Sequence, residues 1–115
     1  MTPINRILVV DDNRVQRRIA CACLADEYEL ETADSGEECL AKLATFAPDL
    51  VLLDVVMPGI GGWKTCERIK SSPYGKFTQV LITSSLASTK NRLKGYSVGA
   101  DDYLVKPYHG EELLA

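Results

Sequence analysis

Five short runs of apolar or β-branched residues recur along the chain, each followed by a helical or turn-rich stretch. Ile7-Leu8-Val9-Val10 is apolar throughout and ends in two carboxylates, the pattern of a strand buried on both faces. Leu50-Val51-Leu52-Leu53 repeats that pattern and ends at Asp54. Val80 to Thr83 leads into Ser84-Ser85, and Tyr103-Leu104-Val105 leads into Lys106-Pro107. Tyr28 to Ala33 differs, because Tyr28, Leu30 and Thr32 alternate with Glu29 and Glu31, as on an edge strand.

The stretches between read as helices. Asn13 to Ala25 carries Val15, Ile19, Ala22 and Cys23, then Ala25 or Leu24 at the turn beyond, at the spacing of a first helix. Ser35 followed by Glu38 is a capping box that opens a second. Its apolar face is Cys39, Leu40, Leu43 and Phe46, and Pro48 stops it. Pro58 to Gly62 is a loop rich in residues that tolerate unusual backbone angles, and Trp63 to Ser71 is the third helix. Thr89 to Val98 is the fourth, closed by Gly99. Gly110 to Ala115 begins a short fifth.

Strand and helix alternating in this way predict an α/β fold, a doubly wound five-stranded parallel sheet with helices on both faces. The most apolar strands should be central and the second an edge. The order 2-1-3-4-5, the flavodoxin-like arrangement, satisfies both.

A chain of 115 residues is one domain's worth of sequence and can bury a core without metal or disulfides. No apolar run approaches the roughly 20 residues of a membrane span. The first residues, MTPINRILVV, do not have the build of a signal peptide, so a cytoplasmic location is expected. Net charge is −3 and no basic stripe forms, which argues against direct binding to nucleic acid. Cys21, Cys23, Cys39 and Cys66 contain no CxxC pair, and His109 is the sole histidine. These cysteines read as buried free thiols of a reducing compartment.

In such a sheet, ligands bind beyond the carboxyl ends of the strands where the strand order reverses, here between the first and third. Asp11, Asp12 and Asp54 fall there, with Ser84 after the fourth strand and Lys106 after the fifth. Three carboxylates brought together repel one another and call for a hard divalent cation with oxygen ligands, for which Mg²⁺ fits best. Lys106 adds a point charge suited to a phosphate oxygen. Singly, each residue has a plainer reading. Asp12 or Asn13 could cap the first helix, Asp54 could form a turn, Ser84 could be a loop hydroxyl, and Lys106 a solvated charge. Their convergence at one end of one sheet favours a site.

The stretches ILVVDDN at 7–13, DLVLLDVVMPGIGGW at 49–63 and GADDYLVKPY at 99–108 together resemble the receiver domain of two-component response regulators, over essentially the whole length. The resemblance implies that Asp54 is the phosphoacceptor. It also implies that Asp11 and Asp12 bind Mg²⁺ with Asp54 and the Val56 backbone carbonyl, and that Lys106 pairs with the phosphate. Tyr103 matches the aromatic that rotates inward on activation. Pro107 matches a proline that commonly follows a cis bond. Counting back from Gly99 without gaps places the switch hydroxyl on Ser84, with Thr83 as the alternate. The implied phosphodonor is a phosphohistidine on a histidine kinase or phosphotransfer protein. The receiver domain would span 1–115, either alone or as the N-terminal part of a longer regulator. A homodimer or an output domain would use the face of the fourth helix, fifth strand and fifth helix. Such a domain is a signalling phosphoacceptor rather than an enzyme, catalysing only its own phosphorylation and dephosphorylation. The alternative is a haloacid-dehalogenase-like Mg²⁺-dependent aspartyl-phosphate hydrolase. That chemistry needs an acid two residues after the nucleophile, where this chain has Val56.

Overall fold

The structure is a computed structural model that describes residues 4–55, 57, 59–84, 97 and 99–105. Val56, Leu86, Lys106-Pro107, the fifth helix and all of the fourth except Ser97 lie outside the described residues. The element order is β1 (Arg6–Val10), α1 (Arg14–Leu24), β2 (Glu29–Ala33), α2 (Gly36–Phe46), β3 (Leu50–Asp54), α3 (Gly61–Ser71), β4 (Gln79–Ser84) and β5 (Asp102–Val105). The strands form one sheet in the order β2-β1-β3-β4-β5, every neighbouring pair parallel. This is the predicted order, with the alternating strand at the edge.

Strand alternation divides the core in two. Leu8, Val10, Val51, Leu53, Val80, Ile82 and Tyr103 face one side, packed with Cys39, Leu43 and Phe46 of α2 and Cys66 and Ile69 of α3. Ile7, Val9 and Leu52 face the other, under Ala20 and Leu24 of α1. Because β1 and β3 are packed on both faces, their apolar runs are continuous rather than alternating.

The helix starts follow from local hydrogen bonding. Ser35 caps α2, its hydroxyl accepting from the Glu38 N–H at 3.1 Å. At the other end Ala47 takes a left-handed conformation (φ 52°) and its N–H bonds the Leu43 carbonyl before Pro48. Asn13 caps α1, its side-chain oxygen accepting from the Gln16 N–H at 3.0 Å. The capping duty therefore falls to Asn13 and not to Asp12.

The buried face of α1 differs from the expected one. Val15 and Ile19 are 62% and 45% exposed and Ala22 is exposed, while the residues pressed on the sheet are Leu24, one of the two expected at the last turn, and Ala20, which was not expected. Ala20 and Leu24 lie one turn apart and form a single row. Val15 and Ile19 form a separate row on the outer side. The thiols also divide. Cys39 and Cys66 are buried, whereas Cys21 and Cys23 are only half-buried.

Candidate acidic site at the strand ends

The chain leaves β1 at Val10 and β3 at Asp54, at the same edge of the sheet. Asp11 is held there from three directions. Its N–H donates to the Ala33 carbonyl at 3.1 Å, its carboxylate accepts from the Asn13 N–H at 2.9 Å, and its own carbonyl accepts from the Arg17 guanidinium at 2.7 Å. Asp54 ends β3 directly opposite Thr83 of β4. Beyond it, the Val55 N–H donates to the Thr83 carbonyl at 3.3 Å.

Asp11, Asp12 and Asp54 thus converge, each offering one carboxylate oxygen, with these atoms all within 4.8 Å of one another. Asp11 and Asp54 are buried, at 4% and 6% exposure, and Asp12 is exposed. Oxygen donors of uniform charge, two on the floor and one at the rim, fit a hard cation that keeps part of its water shell. Among the described residues neither buried cysteine joins a cluster of metal-ligating groups. Burial pushes the Cys39 thiol up to about 12 and that of Cys66 to about 11, which keeps both neutral.

Ser84 ends β4 fully buried, and Thr83 beside it is also buried. Ile82 and Tyr103 are register partners within the same core, so alternation gives Ser84 the Tyr103 face and Thr83 the Asp54 face. Tyr103 itself is 6% exposed. Lys106 and the Val56 carbonyl, both predicted members, lie outside the described residues.

Sequence reasoning missed three features. Arg17 anchors the Asp11 main chain. Gly62 presses against the end of β3, its N–H donating to the Val55 carbonyl at 3.1 Å. A Cβ at position 62 would lie 2.3 Å from Val55 Cα and 2.5 Å from the Asp54 carbonyl, so only glycine fits. Trp63, next along, stacks on Tyr103. The glycine run read as a loop is a usable signal for the second feature. The third joins residues 40 apart and left none.

A doubly wound sheet of this order, with an acid cluster at its switch point, defines a flavodoxin-like domain. The chain belongs to the response regulator receiver domain family, which matches residues 7–115. It is 41% identical over 111 residues to the response regulator MprA of Mycolicibacterium vanbaalenii, covering 96% of this chain and 47% of that protein. It is 40% identical to the response regulator PleD of Caulobacter vibrioides over 96% of this chain and 24% of PleD. The chain therefore spans about half the length of one of these relatives and a quarter of the other. Its structure is similar to that of the chemotaxis protein CheY4 of Vibrio cholerae, with TM-score 0.91 and 34% identity over 97% of this chain and 94% of the other. The hydrolase alternative finds no support in these likenesses. No described helix is long and apolar enough to cross a membrane.

Proposed function

We propose that the domain is the phosphoacceptor of a two-component system, taking a phosphoryl group from a partner's phosphohistidine onto Asp54. The observation that carries this reading is the three-carboxylate cluster at the switch point of a chain in the receiver family. Asp11, Asp12 and Asp54, with the Val56 carbonyl from the resemblance, would hold Mg²⁺. When bound, the cation offsets the carboxylate charges and the charge of the incoming phosphoryl oxygens.

The remaining chemistry is positioning by the chain itself. An Asp54 carboxylate oxygen attacks phosphorus in line. The O–P bond forms as the P–N bond breaks, and the imidazole nitrogen leaves with the electron pair. The buried β3 end fixes Asp54 in one place, which matters because a loose transition state leaves the protein mainly orientation and charge to supply. Lys106, carried from the resemblance, takes a phosphoryl oxygen. Ser84 donates its hydroxyl to another. Its place on the Tyr103 side of the sheet favours it over Thr83, since the switch must couple the phosphoryl group to that ring. Val15 and Ile19, exposed on the helix that follows Asp11 and Asp12 in the chain, give the phosphodonor an apolar surface on which to seat.

In this reading the domain is no enzyme toward other substrates, works in the cytoplasm and contacts neither nucleic acid nor membrane directly. Its changed face, the fourth helix, β5 and the fifth helix, passes the signal to an output domain or a second copy. Incubation with a phosphorylated histidine kinase or acetyl phosphate tests this. One phosphoryl group should be gained with Mg²⁺ and none in chelator. Labelling that is indifferent to chelator would refute the metal-assisted reading.

A further inference from the structure

Trp63 sits at the start of α3, partly buried against the core that also holds Tyr103. The two rings are 6.5 Å apart between centroids with 20° between their planes, an offset stack. Tyr103 is already buried in this arrangement. The same turn of α3 is fastened to the acceptor strand, with Gly62 against the Asp54 carbonyl and bonded to Val55. A continuous line of contacts thus runs from Asp54 through Val55, Gly62 and Trp63 to Tyr103, and it bypasses the β4 hydroxyls.

We propose that Trp63 is a positioning residue that holds the Tyr103 ring inward before any phosphoryl group arrives, so that this switch is pre-biased toward its inward state. The inference rests on the reading of Tyr103 as the mobile aromatic. An inward ring gains the stack and loses it on swinging out, so Trp63 favours the inward state by roughly two- to tenfold over an aliphatic residue. Through Gly62, a shift of the Asp54–Val55 backbone moves Trp63 as well. The acceptor therefore reaches the ring from the α3 side in addition to the hydroxyl side.

The protein labelled with 3-fluorotyrosine tests this by ¹⁹F NMR, with Tyr103→Phe assigning the resonance and the solvent-isotope shift reporting exposure. The unphosphorylated protein should show a protected Tyr103 signal. Trp63→Leu should move that signal toward exposure by the stated two- to tenfold population change. Trp63→Phe, which keeps a ring, should restore protection. A merely structural role would disturb the other tyrosine signals as much as that of Tyr103. If Trp63→Leu does not fold, the reciprocal measurement decides. Trp63 fluorescence should change in Tyr103→Leu and be retained in Tyr103→Phe. An exposed Tyr103 in the parent protein, or one unmoved by Trp63→Leu, overturns the proposal. So does a Trp63 emission indifferent to Tyr103→Leu. None of these readouts needs phosphorylation, so failure of the Asp54 assignment would appear separately, as absence of labelling.

Discussion

Replacing Asp12 with Asn should raise the stability of the metal-free protein and abolish its response to Mg²⁺. Asp12 brings a carboxylate oxygen within 4.8 Å of those of Asp11 and Asp54. It is exposed, so water's dielectric applies, and each pair at that distance costs about 0.9 kcal/mol. The two pairs together cost about 1.7 kcal/mol. Asp12 immediately precedes the N-cap Asn13, where a negative charge ordinarily contributes about 0.3–1 kcal/mol through the helix dipole. Repulsion wins, and Asp12→Asn should gain about 1 kcal/mol, or about 4 °C in melting temperature for a domain of this size. The assay is thermal unfolding in chelator at low ionic strength, repeated with Mg²⁺. The parent protein should rise with Mg²⁺ by mass action, about 2.7 kcal/mol at a hundredfold excess over the dissociation constant. The variant should barely respond, so the order of the two melting points reverses. Salt without Mg²⁺ should narrow the gap, since the Debye length falls to about 3 Å at 1 M. A variant that melts below the parent in chelator, or that gains as much from Mg²⁺, would refute the reasoning.

Gly62→Ala would ordinarily gain about 1 kcal/mol in helix propensity. Here the added Cβ meets the Asp54–Val55 backbone, so overpacking of about 1–3 kcal/mol and a weakened Gly62–Val55 hydrogen bond of about 0.5–1.5 kcal/mol prevail. The urea midpoint and the labelling rate should both fall, and an unchanged pair would contradict the close approach. The buried thiols stay neutral in the fold above their ordinary value of 9.0, while in the unfolded chain they ionise there. Stability should therefore decline as pH rises past 9, less so in Cys39→Ala, as urea midpoints at pH 8 and 10 can show. At pH 8 a thiol reagent should label Cys21 and Cys23 in the native protein and reach Cys39 and Cys66 only on unfolding; early labelling of all four would count against that burial. Loss of phosphate from Asp54 should take many minutes to hours. The resemblance, counted back from Gly99 without gaps, puts Val56 two residues after the acceptor and Leu86 two after Ser84, where receiver domains that lose phosphate quickly carry polar side chains that hold the attacking water. Val56→Asn and Leu86→Glu should hasten decay followed after donor removal, a tenfold change needing only about 1.4 kcal/mol, and indifference to both would show that water placement does not set the rate.

The sheet order was legible because β1 and β3 are packed on both faces and so read as unbroken apolar runs, while β2 keeps its glutamates at the edge. The acid cluster was legible because strand ends carry short-range signals, a buried run closing on Asp11 or Asp54. The face of α1 was not. Two of its branched apolar residues, Val15 and Ile19, point outward, and the row that meets the sheet pairs the small Ala20 with Leu24 one turn on, so apolar size alone does not mark the buried side. The sequence pattern predicts the start of α3 two residues late, because Ile60 offers no side-chain cap and the glycines preceding Trp63 look like loop. The stack of Trp63 on Tyr103 depends on how α3 lies across β4 and β5, which no local pattern encodes.

The central claim is that Asp54, and neither Asp11 nor Asp12, carries the phosphoryl group. Labelling with acetyl phosphate and Mg²⁺, trapping the acyl phosphate by borohydride reduction and sequencing the peptides by mass spectrometry reads this directly. The account predicts reduction at position 54 alone in the parent protein and no incorporation in Asp54→Asn. Reduction at Asp11 or Asp12 in the parent, or incorporation in Asp54→Asn at the parent rate, would contradict it.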